Sequence, residues 1–240
     1  MSSHDAAPLH CRPEAFEALV RELEGIDTTR GLVRAAVAVA MHGRPDADPD
    51  RVETQIAALA DSIRQRCASG QPRALLAHAH VALFEEAGFR GNADDYYHPD
   101  NSDLGRVLAT QRGLPISLTL LYKAILEHLG LRVRGVNAPG HFLAEVLDTD
   151  AYRGDNQPNP GLIVDVFAAG RVLSRDEAFA RIEEVAGGAV ARDEKLLRHA
   201  THPDWLIRMI QNLVTAYDRR GRTDDLSAML ELRTLVESVK

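Results

Sequence analysis

Hydrophobic and polar residues alternate with helical spacing through the first ninety positions of the chain. Residues 13–24 carry an apolar stripe at intervals of three and four, which is typical of an amphipathic helix. The stripe consists of Phe16, Leu19, Val20 and Leu23. The same reasoning predicts further helices over residues 31–42, 52–67 and 73–87.

The segment 115–129 differs from these helices because it is apolar on almost every side. Only Thr119, Lys123 and Glu127 form a narrow polar stripe, at spacings of four. A helix this apolar is enclosed by other elements, so we expect it to be the central helix of the fold. Pro115 suits the first turn of that helix, where its missing N–H costs nothing.

The pattern changes after Gly130, where short apolar runs are bounded by Pro, Gly and Asn. The runs at residues 131–137, 141–147 and 162–167 predict three strands, which we expect to be antiparallel. Residues 148–161 are polar and predict a surface loop.

Helices return at 175–184, 205–219 and after Asp224, and the last two form a hairpin of tetratricopeptide-like length. One such hairpin cannot bury its own apolar face, so it should dock on the core or on a protein partner.

Composition and charge narrow the classes of partner. The chain has 240 residues, 45% of them hydrophobic, and a formal net charge of −7. This charge gives no electrostatic reason to bind nucleic acid or an anionic membrane, and no apolar run is long enough to span a bilayer. The start of the chain lacks the basic flank and apolar run of a signal peptide. Cys11 and Cys67 have no metal-ligand spacing and suit a reducing compartment, so we expect a cytoplasmic protein without cofactor or metal.

Three short stretches contain residues suited to catalysis. They place Ser117 at a helix N-terminus, His141 at the start of a strand and Asp165 inside the next strand. A helix N-terminus stabilises an anion, a histidine accepts the proton of a nucleophile, and a carboxylate fixes the histidine tautomer. Asp165 lies in an apolar run, and a buried carboxylate needs a partner, so we predict a ring nitrogen of His141 within about 3.2 Å of it. The alternative is that a buried His–Asp pair only joins two strands.

Residues 89–170 resemble the bacterial SirB-type family of transglutaminase-like proteins with tetratricopeptide segments. The matching residues follow the order of the family's motifs and are spread over this whole range. They comprise Phe89-Arg-Gly-Asn92, Tyr96-Tyr97, Asn101-Ser102, Leu104, Val107-Leu108, Arg112-Gly-Leu-Pro-Ile-Ser117, Leu129-Gly130, Gly135-Val136, Pro139-Gly-His-Phe-Leu143, Asp165 and Phe167.

The resemblance implies an α+β fold with a transglutaminase- and papain-like core, in which a central buried helix packs against a small antiparallel sheet. It further implies a helical N-terminal region over residues 1–88, the core over 89–188, and a C-terminal tetratricopeptide-like helical hairpin over 189–240. No established reaction accompanies this family.

The departures from active transglutaminase-like enzymes concern the nucleophile. Those enzymes carry Gly-x-Cys at the start of the central helix, and in ungapped register Pro115 stands in the place of the cysteine. Ser117 lies two residues further, about 200° around a helix. His141 and Glu145 match the enzymes' His-x-Trp-x-Glu pattern, and Asp165 is retained although valine replaces the proline that usually follows it.

Two hypotheses follow. The first is a catalytically degenerate transglutaminase-like protein that acts as a binding or regulatory module, with a cleft at His141 and Asp165 and a hairpin for a protein partner. The second is a hydrolase or acyltransferase that uses a triad of Ser117, His141 and Asp165. Metal-dependent chemistry through His98, His141 and a carboxylate is less favoured, because no ligand spacing supports it.

Overall fold

The computed structural model of this protein describes residues 7–147 and 161–239. Its helices are α1 (Pro13–Leu23), α2 (Thr29–Ala40), α3 (Pro49–Arg66), α4 (Pro72–His80), α5 (Leu104–Thr110), α6 (Pro115–His128), α7 (Arg175–Ala186), α8 (His202–Arg219) and α9 (Thr223–Glu237). Its strands are β1 (Arg90–Gly91), β2 (Arg112–Gly113), β3 (Val133–Val136), β4 (Leu143–Val146), β5 (Leu162–Asp165) and β6 (Arg171–Leu173). A π-helical turn, Val81–Glu86, continues α4, and 3-10 turns lie at Pro99–Ser102 and Glu194–Leu197.

The described residues form two compact units, each assembled from separate parts of the chain. The first unit contains residues 7–54, 93–110 and 201–239. In it α8 packs along α9 and α2, and α1 packs along α2 and α9. Trp205 on α8 is the largest fully buried side chain of this unit. Thr28 precedes helix α2 and caps it, because its hydroxyl accepts the N–H of Gly31 at 2.9 Å.

The second unit contains residues 55–92, 111–147 and 161–200. Helix α6 packs on β3 and β4 of a sheet in the order β3-β4-β5-β6, in which every neighbouring pair is antiparallel. Most residues of α6 are buried, so the enclosed helix predicted from its apolar surface is confirmed. A core cluster also joins this sheet to α7, with Leu143, Ile163 and Phe179 among its members.

Three features differ from the elements predicted by periodicity or add to them. The helix predicted over 73–87 ends in a π-helical turn, where the N–H of Ala87 bonds the carbonyl of Ala82 at 3.0 Å. Strand β6 was not predicted, because only Leu173 of its three residues is buried and the run lacks an apolar pattern. The parallel pair β1–β2 is two residues long and leaves no periodic signal. The predicted loop 148–161 lies, except for its last residue, outside the described residues.

The three-part division at residues 88 and 188 stays a prediction. No described helix has both the length and the apolar stretch that a bilayer crossing requires.

Candidate functional site

The N-terminus of α6 is closed by the side chain of Ser117. Leu114 is the N-cap and has no polar side chain, and Pro115 occupies the first helical position. The Ser117 hydroxyl accepts the N–H of Leu114 at 3.0 Å and donates to the carbonyl of Leu114 at 3.1 Å. Ser117 is fully buried. The Leu114 carbonyl is therefore within hydrogen-bond reach of the Ser117 hydroxyl.

His141 follows a tight turn whose geometry depends on Gly140. This glycine has φ +67°, and a Cβ on it would lie 2.4 Å from Cγ1 of Val185. The left-handed backbone thus favours glycine here, and Val185 of α7 lies close to this turn. The turn is completed by the N–H of His141, which bonds the carbonyl of Ala138 at 3.2 Å. His141 is 3% exposed.

Asp165 ends β5 and lies against His141. Its Oδ2 is 2.9 Å from Nε2 of His141, which confirms the contact predicted from the sequence. Its Oδ1 accepts the N–H of Ala168 at 3.1 Å. Asp165 is 1% exposed, as its apolar surroundings in the chain predicted. Burial raises the pKa of this carboxyl, but His141, the Ala168 N–H and the Arg181 guanidinium outweigh burial and hold the pKa below its ordinary value.

Arg181 is a third member of this site and was not predicted. Its Nε lies 3.4 Å from Oδ2 of Asp165, and its Nη1 lies 2.5 Å from Oε2 of Glu184. Arg181 and Val185 are one turn apart on α7, so this helix covers both the carboxylate and the Gly140 turn. No sequence motif marked Arg181, because an arginine on an exposed helix is ordinary.

Phe167 and Gly91 complete the surroundings of the pair. The Phe167 ring meets the His141 ring edge-on, with centroids 6.1 Å apart. A Cβ on Gly91 would lie 2.3 Å from the Phe167 ring, and the Gly91 N–H bonds the Phe167 carbonyl at 2.9 Å. The glycine in the Phe89–Asn92 motif is therefore needed so that Phe167 can pack beside the histidine.

Glu145, which matches the glutamate of the enzymes' His-x-Trp-x-Glu pattern, is paired with a histidine other than His141. Its Oε2 lies 2.6 Å from Nε2 of His199. The segment holding His199 runs along the edge of β3, where the N–H of Ala200 bonds the carbonyl of Gly135 at 2.9 Å. The sequence held no signal for this segment, since its pairing depends on a strand more than sixty residues earlier in the chain.

The remaining candidates for chemistry lie elsewhere. Within the described residues, no group of three His, Cys, Asp or Glu side chains is arranged to hold a metal ion. His98 caps a 3-10 turn by accepting the N–H of Asp100 on Nδ1 at 3.2 Å. Cys11 and Cys67 are free thiols, and burial raises the pKa of Cys11 to about 12. A thiol that stays protonated at neutral pH is a poor nucleophile.

Comparison with known proteins finds similarity over a region of the chain that includes this site. A family model described as the transglutaminase-like superfamily matches residues 50–211. A UPF0162 protein of Xylella fastidiosa is 31% identical over 202 residues, which cover 82% of this chain and 69% of that protein. F-box only protein 21 of Homo sapiens and of Mus musculus is 30% identical over 151 residues, covering 59% of this chain and 22% of that protein. No solved structure matches the chain significantly.

Proposed function

The chain belongs to the transglutaminase-like superfamily, and on that premise we propose that it is a catalytically degenerate member that acts as a binding or regulatory module. The observation that carries this proposal is the bonding of Ser117. Its hydroxyl is held by both backbone polar groups of Leu114, and Pro115, which has no group to activate, stands where the related enzymes carry cysteine.

In such a protein the former base and its orienting carboxylate would serve the fold. His141 and Asp165 join the turn before β4 to the end of β5, and Arg181 joins Asp165 to α7. Their low exposure supports this structural role. Because both side chains are almost fully buried, a ligand in the cleft expected at this pair would have to displace neighbouring side chains to contact them.

The finer family assignment belongs to the same proposal. The motifs over residues 89–170 support a SirB-type member, and the packing of α8 along α9 supports a tetratricopeptide-like hairpin that contributes to binding a protein partner. A similar region of 151 residues makes up 22% of F-box only protein 21, which supports a module that works beside other parts of a longer chain. The proposal also includes the division of the chain into three regions at residues 88 and 188, and a cytoplasmic location.

The competing candidate is a hydrolase or acyltransferase that uses Ser117, His141 and Asp165. The 2.9 Å contact between His141 and Asp165 favours it, because this contact supplies the base and carboxylate of a triad. For this chemistry the Ser117 hydroxyl would have to leave the Leu114 carbonyl and donate its proton to His141.

Covalent labelling separates these two candidates. The folded protein is treated with a fluorophosphonate probe and with the smaller diisopropyl fluorophosphate, and adducts are located by peptide mass spectrometry. We expect no adduct on Ser117, while a known serine hydrolase in the same mixture is labelled. An adduct on Ser117 that is lost in both His141→Ala and Ser117→Ala would overturn the proposal and make the hydrolase the leading account.

A further inference from the structure

A cavity of about 350 Å³ lies within the first unit, apart from the His141 and Asp165 site. Its walls come from the end of α2, from the 3-10 turn with α5, and from the α8–α9 hairpin. Part of the lining is apolar, through Val39, Pro99 and Leu213. This volume falls in the range in which proteins bind small molecules.

The charged residues that line this cavity are four arginines and two aspartates. Arg44 makes a two-point ion pair with Asp103, at 2.8 Å from Nε to Oδ2 and 3.0 Å from Nη2 to Oδ1. Arg106 uses only Nε, which donates to Asp100 at 2.9 Å. These two ion pairs neutralise the charges of both carboxylates that line the cavity.

The other two arginines, Arg220 and Arg222, donate hydrogen bonds to groups outside the lining. Arg220 donates to the carbonyl of Tyr97 and pairs with Asp95 at 3.5 Å from Nη2 to Oδ1, and Arg222 donates through Nε to Oδ2 of Asp225 at 2.6 Å. The Arg222 guanidinium also lies 4.8 Å from the ring centroid of Tyr217. Both guanidinium groups are thus fixed in place at the wall of the cavity, where each is also paired with a carboxylate outside the lining.

Two of the lining arginines also have N–H groups beyond the one that bonds a carboxylate. A guanidinium has five N–H donors. Among the residues that the structure describes, Arg106 and Arg222 each donate to the protein through Nε alone, which leaves their terminal Nη groups for another acceptor. A pair of N–H groups on one guanidinium matches two oxygens of a carboxylate or phosphate.

We propose that this cavity binds a small organic oxyanion, a carboxylate or a phosphate monoester with an apolar body. The oxyanion accepts from Arg106 and Arg222, and the apolar body lies against Val39 and Leu213. This site does not depend on the function proposed for His141 and Asp165, because it uses other residues.

Titration calorimetry with chosen probes tests this site on the full chain. Phenyl phosphate, benzoate and benzylamine share an aromatic body and differ in their charged group. We expect phenyl phosphate or benzoate to bind, with the tighter of the two identifying the oxyanion, and benzylamine not to bind. Absence of binding for both anions at millimolar concentration, or equal binding of benzylamine, overturns the proposal.

Variants that should weaken anion binding and a variant that should strengthen it then locate the site. Arg106→Met and Arg222→Met each remove a charged donor and should weaken binding of the anion roughly tenfold. Asp100→Asn removes a lining carboxylate and should strengthen it. Arg233→Met is the matched control, since Arg233 pairs with Glu237 on α9 and does not line the cavity.

Circular dichroism checks that each variant is folded. If an arginine-to-methionine variant does not fold, Arg222→Lys keeps the charge but removes the two-pronged donor and should also weaken binding. The sign of the Asp100→Asn effect provides an independent test. Equal affinity in all of these variants and the wild-type protein places the anion elsewhere and contradicts the proposal.

Discussion

At the scale of single residues, the contact between His141 and Asp165 joins groups that would be costly to bury alone. The two side chains are 3% and 1% exposed. A buried carboxylate keeps its charge only when donors and positive charge surround it, and here these come from His141, Ala168 and Arg181. The contact between His141 and Asp165 therefore has a structural reason that does not depend on catalysis.

This account predicts how substitutions of Asp165 change stability. Asp165→Ala removes the carboxylate from a buried imidazole and should lower the free energy of unfolding by about 1–3 kcal/mol. Asp165→Asn should cost less, because its amide oxygen still accepts the Ala168 N–H. Urea unfolding followed by circular dichroism measures both. Asp176→Asn is the control, since that carboxylate is 84% exposed and should be nearly neutral.

The same contact predicts a pH dependence. The pKa of Asp165 is lower in the folded protein than its ordinary value, so its ionised form stabilises the fold above the unfolded pKa of about 3.9. This stabilisation is lost as the pH falls through the folded pKa. The stability difference between wild type and Asp165→Asn should therefore shrink on acidification. A difference that stays constant from neutral to acid pH would mean that the carboxyl is not the group responsible.

At the scale of elements, α9 binds the start of the described chain through one side chain. The Glu231 carboxylate accepts the N–H groups of Leu9, His10 and Cys11, at 2.7, 3.1 and 2.8 Å. Burial raises the pKa of Glu231, but these three donors outweigh it and lower the pKa. The segment before α1 thus depends on one ionised group of a helix more than two hundred residues later.

Substitution of Glu231 should therefore release this segment. In Glu231→Gln we expect amide hydrogen exchange at residues 9–11 to speed up roughly tenfold, because a neutral amide accepts these bonds less strongly. In the wild type the protection should be present above the unfolded pKa of about 4.3 and be lost as the pH falls through the lowered folded pKa. Glu237→Gln, on the exposed end of the same helix, is the matched control. Equal exchange in both variants would contradict the role of Glu231.

At the scale of the whole molecule, the C-terminal hairpin is part of a core. Helices α8 and α9 belong to the first unit together with α1 and α2. They contribute buried side chains along their length: Trp205, Leu206, Met209, Ile210, Ala228, Met229, Leu232 and Val236. The apolar face that the hairpin cannot bury by itself is thus at least partly buried within this unit.

Removal of the hairpin should destabilise the protein. A chain that ends after residue 188 exposes the faces of α1 and α2 that pack on α9 and α8, and each large apolar side chain left exposed costs about 1.5–3 kcal/mol. We expect a lower melting temperature or loss of cooperative unfolding by circular dichroism. A chain that ends after residue 237 is the control and should melt as the full chain does. An unchanged melting temperature of the shorter chain would instead show that 189–240 is a separate appendage.

Much of the architecture followed from local patterns. The apolar surface of α6, the stripe on α1 and the short apolar runs of β3, β4 and β5 each predicted their element, because periodicity records which side of an element avoids water. The contact between His141 and Asp165 was also accessible from the sequence, since a carboxylate in an apolar strand needs a partner and neighbouring strands bring few polar groups near it.

Other features were decided only by the tertiary structure. The Ser117 hydroxyl bonds Leu114, and no residue pattern says where a hydroxyl proton points. Arg181 reaches Asp165, and His199 reaches Glu145, through packing between segments that are far apart in the chain. The sequence by itself determined which surfaces are apolar and which carboxylate needs a partner. Only packing determined which atoms meet, because hydrogen bonds between distant segments depend on positions that local periodicity does not encode.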